Sequence, residues 1–292
     1  MATGTLRVIR RRIRSIENTA KVTRAMELVA ASKMRRAQAR ALAARPYAER
    51  LRWMLADLAE NMPLMDPETL PPLLQKREVR NIGLLLLTTE RGLCGGLNAN
   101  LNRRAAGFAL EQTVAAQFIS VGRKGSTFLR RAGQPVIAEF SSPGDFPSYE
   151  DLRPVARLVM DEYIAGQVDQ VFIVYPFFVN TAVQRPEVMP LLPVDPPRDS
   201  ATYAVDYIYE PTREAVLEAL LPRYVEQQVY AAVLELSASE QSARMVAMRN
   251  ATENAREMIQ DLTLVYNKAR QETITTELLD ITGGAEALKK TR

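Results

Sequence analysis

From Leu6 onward, apolar residues recur at alternating steps of three and four. The positions are Leu6, Ile9, Ile13, Ile16, Ala20, Thr23, Glu27, Ala30, Met34, Ala37, Ala41, Ala44, Ala48, Leu51, Leu55 and Leu58, and fourteen of the sixteen are apolar. A 3.5-residue repeat held this long is the pattern of a coiled coil, which keeps one stripe of a helix against a partner helix. An amphipathic surface helix seldom exceeds about 25 residues. At about 1.5 Å per residue the stretch is roughly 80 Å long, so it should project from a compact body or pierce another. Pro46 conflicts with the pattern, because a residue without an N–H should kink the helix near Arg45.

Between residues 76 and 205 the period changes. Asn81 to Thr88, Ala115 to Gly122, Pro135 to Phe140, Val168 to Val179 and Gln184 to Val194 read as strands. Asn98 to Thr113, Arg123 to Ala132 and Tyr149 to Gly166 read as helices between them. Strands and helices alternating at this spacing predict an α/β sandwich with a largely parallel sheet. Pro190 to Pro197 reads as its exit linker.

Helical spacing returns from Pro211 to Leu288. Pro211 suits a first turn, Pro222 argues for a kink or restart, and Gly283 with Gly284 should end the helix. Ala243, Ala247, Ala251, Ala255, Met258, Leu262, Val265 and Ala269 form a second stripe. Small seam residues let helix axes approach closely, so the two long helices can pair. The fold expected is α/β with long helical extensions. An N-terminal helix (1–62) and a C-terminal helix (211–288) form an antiparallel coiled coil around an inserted Rossmann-like α/β domain (76–205).

Charge sharpens this picture. Residues 1–52 hold fourteen Lys or Arg against three acids, a net +11, which leaves −7 for the rest of a chain whose total is +4. A basic arm on an acidic body needs an acidic partner, a nucleic acid or an anionic surface. The 292 residues contain no histidine and one cysteine, Cys94. That removes Ser-His-Asp and Cys-His catalysis, nearly every zinc site with nitrogen or sulfur ligands, and any intrachain disulfide. The longest apolar runs, Ile82 to Leu87 and Val171 to Val179, fall far short of the roughly 20 residues of a membrane-spanning helix. The Arg-rich start has the look of a transit peptide, but its periodicity continues in phase to about residue 58, as mature structure would.

Two glycine clusters lie where a phosphate loop would. Gly92-Leu93-Cys94-Gly95-Gly96 lacks G-x-G-x-x-G spacing, and Gly122-Arg123-Lys124-Gly125-Ser126 lacks Walker spacing. Both read as tight strand-to-helix turns, with Cys94 packed rather than nucleophilic. Asp145, Glu150 and Asp151 read as residues that cap and solvate a helix start. The helical methionines, Met26 and Met34 among them, read as packing.

Three segments, in order, resemble the gamma subunits of F-type ATP synthases. They are RIRSIENTAKVTRAMELVAASKMRRAQ (Arg12 to Gln38), TERGLCGGLN (Thr89 to Asn98) and SEQSARMVAMRNATENAREMIQDLTLVYNKARQETITTELL (Ser239 to Leu279). The resemblance covers essentially the whole chain. It implies a central rotor shaft inside three alpha and three beta subunits, with its α/β domain seated beside the epsilon subunit on a ring of c subunits. It implies no catalytic residue, cofactor or metal on this chain, and no nucleic acid. Contact with the membrane would be peripheral only, on the cytoplasmic face of a bacterial plasma membrane. By motif match, Arg24, Met26, Arg244, Arg270, Gln271 and Thr275 would meet loops of beta. The single cysteine departs from the cysteine pair of chloroplast-type members, so thiol control of that kind is not expected. The rival readings are a basic coiled coil binding nucleic acid through residues 7 to 52 and a Rossmann-like enzyme with helical arms.

Overall fold

The computed structural model describes residues 2–60, 70–196 and 209–290. The chain forms α1 (Ala2–Glu60), a short 3-10 turn (Pro72–Leu74), β1 (Asn81–Leu87), α2 (Leu97–Glu111), β2 (Ala115–Val121) and α3 (Arg123–Arg131). There follow β3 (Val136–Phe140), α4 (Tyr149–Ile164), β4 (Gln170–Phe178), β5 (Gln184–Leu192) and α5 (Arg213–Lys290). These divide into two compact units, one of residues 30–244 and one of residues 1–29 with 245–292. The expected domain ends at residues 62 and 205 lie outside the described residues.

In the larger unit the strand order is β3-β2-β1-β4-β5. The first four strands are parallel and β5 is antiparallel to β4. A parallel strand covered on both faces should be continuously apolar, and Ile82 and Leu84 to Leu87 of β1 are all fully buried. Helix α2 packs on β1, β4 and β5, and α3 on β2 and β3. Leu51, Leu55 and Leu58 of α1 join the same core, as do Leu217, Leu221, Val225, Val229 and Val233 of α5, spaced at helical intervals. Helix α4 starts with a capping box in which Ser148 and Asp151 bond each other's backbone N–H.

The prolines behave differently from expectation. Helix α1 continues through Pro46, and α5 continues through Pro222 without a restart. The carbonyls four residues earlier, of Leu42 and Glu218, belong to exposed positions, where water can satisfy them. Pro211 lies just outside α5, and Thr212 caps that helix by accepting the N–H of Ala215 at 3.2 Å. Pro190 belongs to β5 rather than to a linker. Pro186 and Pro190 are tolerated there because β5 is an edge strand. Gly283 and Gly284 do not end α5, which reaches Lys290. The cost of two glycines, about 1 kcal/mol each, is borne by Ala, Glu, Leu and Lys, all strong helix formers, in the turn that follows.

The smaller unit is a helix pair. Thr23 and Thr252 face each other, their hydroxyls 2.7 Å apart and buried. Glu17 and Ala20 line one hollow with Arg256 and Ile259, so the two helices run antiparallel. Every one of the sixteen α1 stripe positions is buried or half-buried. The α5 stripe needs correction. Met258 and Val265 are 47% and 53% exposed. The seam instead runs Met248, Thr252, Ala255, Ile259, Leu262, Tyr266, Ala269 and Thr273, all buried or half-buried and in strict steps of four and three. Reading apolar letters alone missed this phase, because three of its eight members carry hydroxyls. Two of those hydroxyls are satisfied on their own helix: Thr252 donates to Met248 O and Thr273 to Ala269 O, each at 2.8 Å.

Candidate functional site: the helix pair and the braced sheet edge

Open α/β sheets bind ligands beyond the carboxyl ends of their strands, where neighbouring strands send the chain in opposite directions. Here that point lies between β1, which leads through α2 to β2, and β4, which turns to β5. Helix α5 occupies it. Ser239 donates to Pro176 O at 3.3 Å, Ser242 to Thr181 O at 2.7 Å and Arg244 to Gly92 O at 3.3 Å. The Glu235 carboxylate accepts the N–H of Phe178 at 3.0 Å. Burial pushes the carboxyls of Glu235 and Glu240 up, opposed by the Phe178 N–H at the first and by Arg244 at the second.

The glycine turns are equally full. Gly122 has φ +93°, and a Cβ there would lie 2.1 Å from Thr88 O. Thr88 Oγ1 accepts the N–H of Gly125 at 2.8 Å. The Glu90 carboxylate accepts the N–H of Arg123 at 3.1 Å, so a side-chain anion already sits at the α3 N-terminus where a phosphate would. Cys94 is 1% exposed. Burial pushes its thiol up, and it accepts from Asn98 Nδ2 at 3.2 Å, as a packed thiol would.

Asp145 is not a helix cap. It pairs with Lys33 of α1 at 2.6 Å and accepts from Gln241 of α5 at 2.9 Å, tying both long helices to one loop. No sequence signal distinguished it from its acidic neighbours. Leu93 was also missed: at φ +63° and 63% exposed, it holds a backbone conformation costly for a branched side chain at the tip of the loop that Arg244 braces.

The six expected contact residues fall into three groups. Arg24 is half-exposed and paired with Glu27 at 2.7 Å, while Met26 is half-buried. Arg244 is mostly buried and committed to Glu240 and Gly92. Arg270, Gln271 and Thr275 are exposed on α5, with the Thr275 hydroxyl donating to Gln271 O at 2.9 Å. Beside the Thr23–Thr252 pair, Arg24, Arg249 and Arg256 line a hollow of about 420 Å³ with Glu27 and Glu253. Arg249 pairs with Glu253 at 3.2 Å, and Arg256 has no acidic partner among the described residues.

Counting outward from the threonine pair, Thr273 lies as far along α5 as Ala2 lies back along α1. Thr273 is the last half-buried position of α5 among the described residues. Residues 274–283 are all exposed, among them Ile274, Leu278, Leu279 and Ile281. Apolar side chains in number on a bare helix mark a surface that something covers.

A family model described as ATP synthase matches residues 5–288. The ATP synthase gamma chain of Dehalococcoides mccartyi is 56% identical over 283 residues, covering 97% of this chain and 99% of that one.

The chain belongs to the ATP synthase gamma chain family.

Gamma chains of Roseiflexus castenholzii and Chloroflexus aurantiacus are each 50% identical over 97% of the chain. Among solved structures, a chain of the Tetrahymena thermophila mitochondrial ATP synthase central stalk and c-ring superposes with TM-score 0.62 at 26% identity, covering 79% of this chain and 99% of that one. A chain from the Euglena gracilis mitochondrial ATP synthase rotor gives 0.66 at 23% identity over 93% of this chain and 99% of that one, a likeness of fold.

Proposed function

We propose that the chain is the central rotor of an F-type ATP synthase. It transmits torque between a ring of c subunits and a head of three alpha and three beta subunits, with the epsilon subunit beside its α/β unit. The chemistry of ATP lies on the partner subunits. The observation that carries this reading is the end of α5, which bears bare apolar side chains beyond the last seam residue. Such a surface is what a surrounding sleeve would cover.

Coupling follows from differential contact. A shaft that met every beta conformer equally would shift none of them. The pair is unequal around its axis: one side carries Arg24, Arg249 and Arg256, while Met258, Leu264 and Val265 are exposed apolar residues. Turning it brings charge and then apolar surface past each beta subunit. In this reading Arg24 and Arg270 offer charge to acidic loops, Met26 backs the first of them, Gln271 and Thr275 contact the upper sleeve, and Arg244 holds the brace that transmits load. The place is the cytoplasmic face of a bacterial plasma membrane, reached through the c-ring. Among the described residues no helix is long and apolar enough to cross a membrane.

The nucleic-acid reading is not pursued. Lys33 is paired, and Arg40 and Arg50 lie over aromatic rings, so part of the basic arm is already used within the chain.

The test is assembly. Leu278→Lys with Ile281→Lys should weaken a complex holding one copy of this chain per three alpha–beta pairs by roughly a hundredfold or more, as losing two buried apolar contacts would, and lower its yield and ATP hydrolysis accordingly. Leu110→Lys, at a still more exposed leucine on α2, should leave both unchanged. Equal assembly of all three proteins would remove the sleeve from the account.

A further inference from the structure

Within the larger unit, a groove of about 640 Å³ lies between α1 near Arg40, the loop ending at Ser148, and α5 just after Pro222. That volume is in the range of small-molecule sites. Among the described residues its only charged lining side chains are Arg40 and Arg223. Arg40 lies 4.8 Å over the Phe146 ring, and neither guanidinium has a carboxylate partner among the described residues. Glu226, three residues from Arg223, is already taken: it accepts from the Tyr149 hydroxyl at 2.6 Å and pairs with Arg153 at 3.5 Å.

The floor carries a second and independent sign. Gln227 is 3% exposed, lines the groove, and its Nε2 has no hydrogen-bond partner among the described residues. A buried amide donor left unpaired costs about 1–3 kcal/mol, and such orphans are uncommon in folded chains. The two guanidiniums and the unpaired Gln227 Nε2 are donors, and the Tyr47 and Ser148 hydroxyls can add to them. The flat apolar surface is supplied by Tyr47 and Phe146.

We propose that this groove binds a small organic anion with a flat apolar body, an aromatic carboxylate or sulfonate. The acid group lies on Arg40, Arg223 and the Gln227 amide, and the ring lies against Tyr47 and Phe146. A neutral ring would leave the donors unpaired, and a bare inorganic anion would leave the aromatic walls wet.

The test uses protection of an engineered thiol in the complex of the full chain with alpha and beta subunits. Cys94 is buried, so a cysteine placed at exposed Ala43, in the groove, is the reactive thiol of this chain; Ala39→Cys, exposed on α1 outside the groove lining, is the control. With 1-naphthalenesulfonate as probe, maleimide labelling of Ala43→Cys should slow while Ala39→Cys is unaffected. Adding Arg223→Gln should raise the protecting concentration roughly tenfold, the size of one lost charge-assisted hydrogen bond. Gln227→Leu, which keeps the site buried and removes the orphan donor, should weaken protection while assembly stays intact. Absence of protection, equal protection by neutral naphthalenemethanol or by inorganic phosphate, or protection unchanged in both variants would overturn the proposal. So would an Ala43→Cys thiol that is unreactive in the complex without probe, since a partner chain would then be the occupant.

Discussion

Asp169 shows how single residues hold the sheet in place. Its carboxylate accepts the N–H groups of Arg80 and Asn81 at 2.8 and 3.0 Å and pairs with Arg77 at 2.9 Å. Burial pushes this carboxyl up, but those N–H donors and the two arginines outweigh it and hold it below the usual range. A carboxyl whose folded pKa is depressed adds stability above its unfolded pKa and loses it as pH falls through the folded value. Asp169→Asn should therefore cost about 2 kcal/mol above roughly pH 5, and that difference should shrink toward zero in acid. Denaturant titrations of both proteins across pH measure this, and a pH-independent difference would assign the loss to shape instead of charge. Gly122 and Glu90 act at the same scale. They close a turn that has the letters of a phosphate loop without its spacing, and the packing of Thr88 against Gly122 fills it. The roles of Asp145 and Leu93 were invisible in the sequence, because a long-range tie and a positive φ leave no local pattern.

The helices were legible to the degree that their seams are apolar. The α1 stripe was read in full because fourteen of its sixteen letters are hydrophobic. On α5 six of the eight expected stripe positions are buried or half-buried, but Met258 and Val265 stand outside the seam, whose phase there is carried by Thr252, Tyr266 and Thr273. Proline and glycine were over-read as breaks, because the freed carbonyls fall on exposed faces and strong helix formers follow Gly284. The Thr23–Thr252 pair is the one buried polar contact between helices in the smaller unit among the described hydrogen bonds, and a buried polar pair fixes register in coiled coils. Each hydroxyl also has a carbonyl on its own helix, Ala20 O for Thr23 and Met248 O for Thr252. Thr23→Val or Thr252→Val alone should therefore cost only the shared bond, about 1 kcal/mol, and the double variant should cost no more than either single one. Thermal unfolding of the assembled complex would measure the cycle; additive losses would mean the hydroxyls do not act as a pair.

For the molecule as a whole, fold class and family were readable from end to end, because three long motifs and two periodicities agree. Its likeness to gamma chains over 97% of its length and the bare end of α5 support the same reading: a shaft that needs a surrounding head. The most direct measurement is single-molecule rotation. A complex with the alpha and beta subunits is held by its head, and a bead is fixed to a cysteine introduced at Leu110, an exposed position on α2. Under ATP the account predicts stepwise rotation in one direction, slowed or made irregular by Leu278→Lys with Ile281→Lys. A complex that hydrolyses ATP at full rate while the bead stays still, or turns in both directions equally, would contradict it.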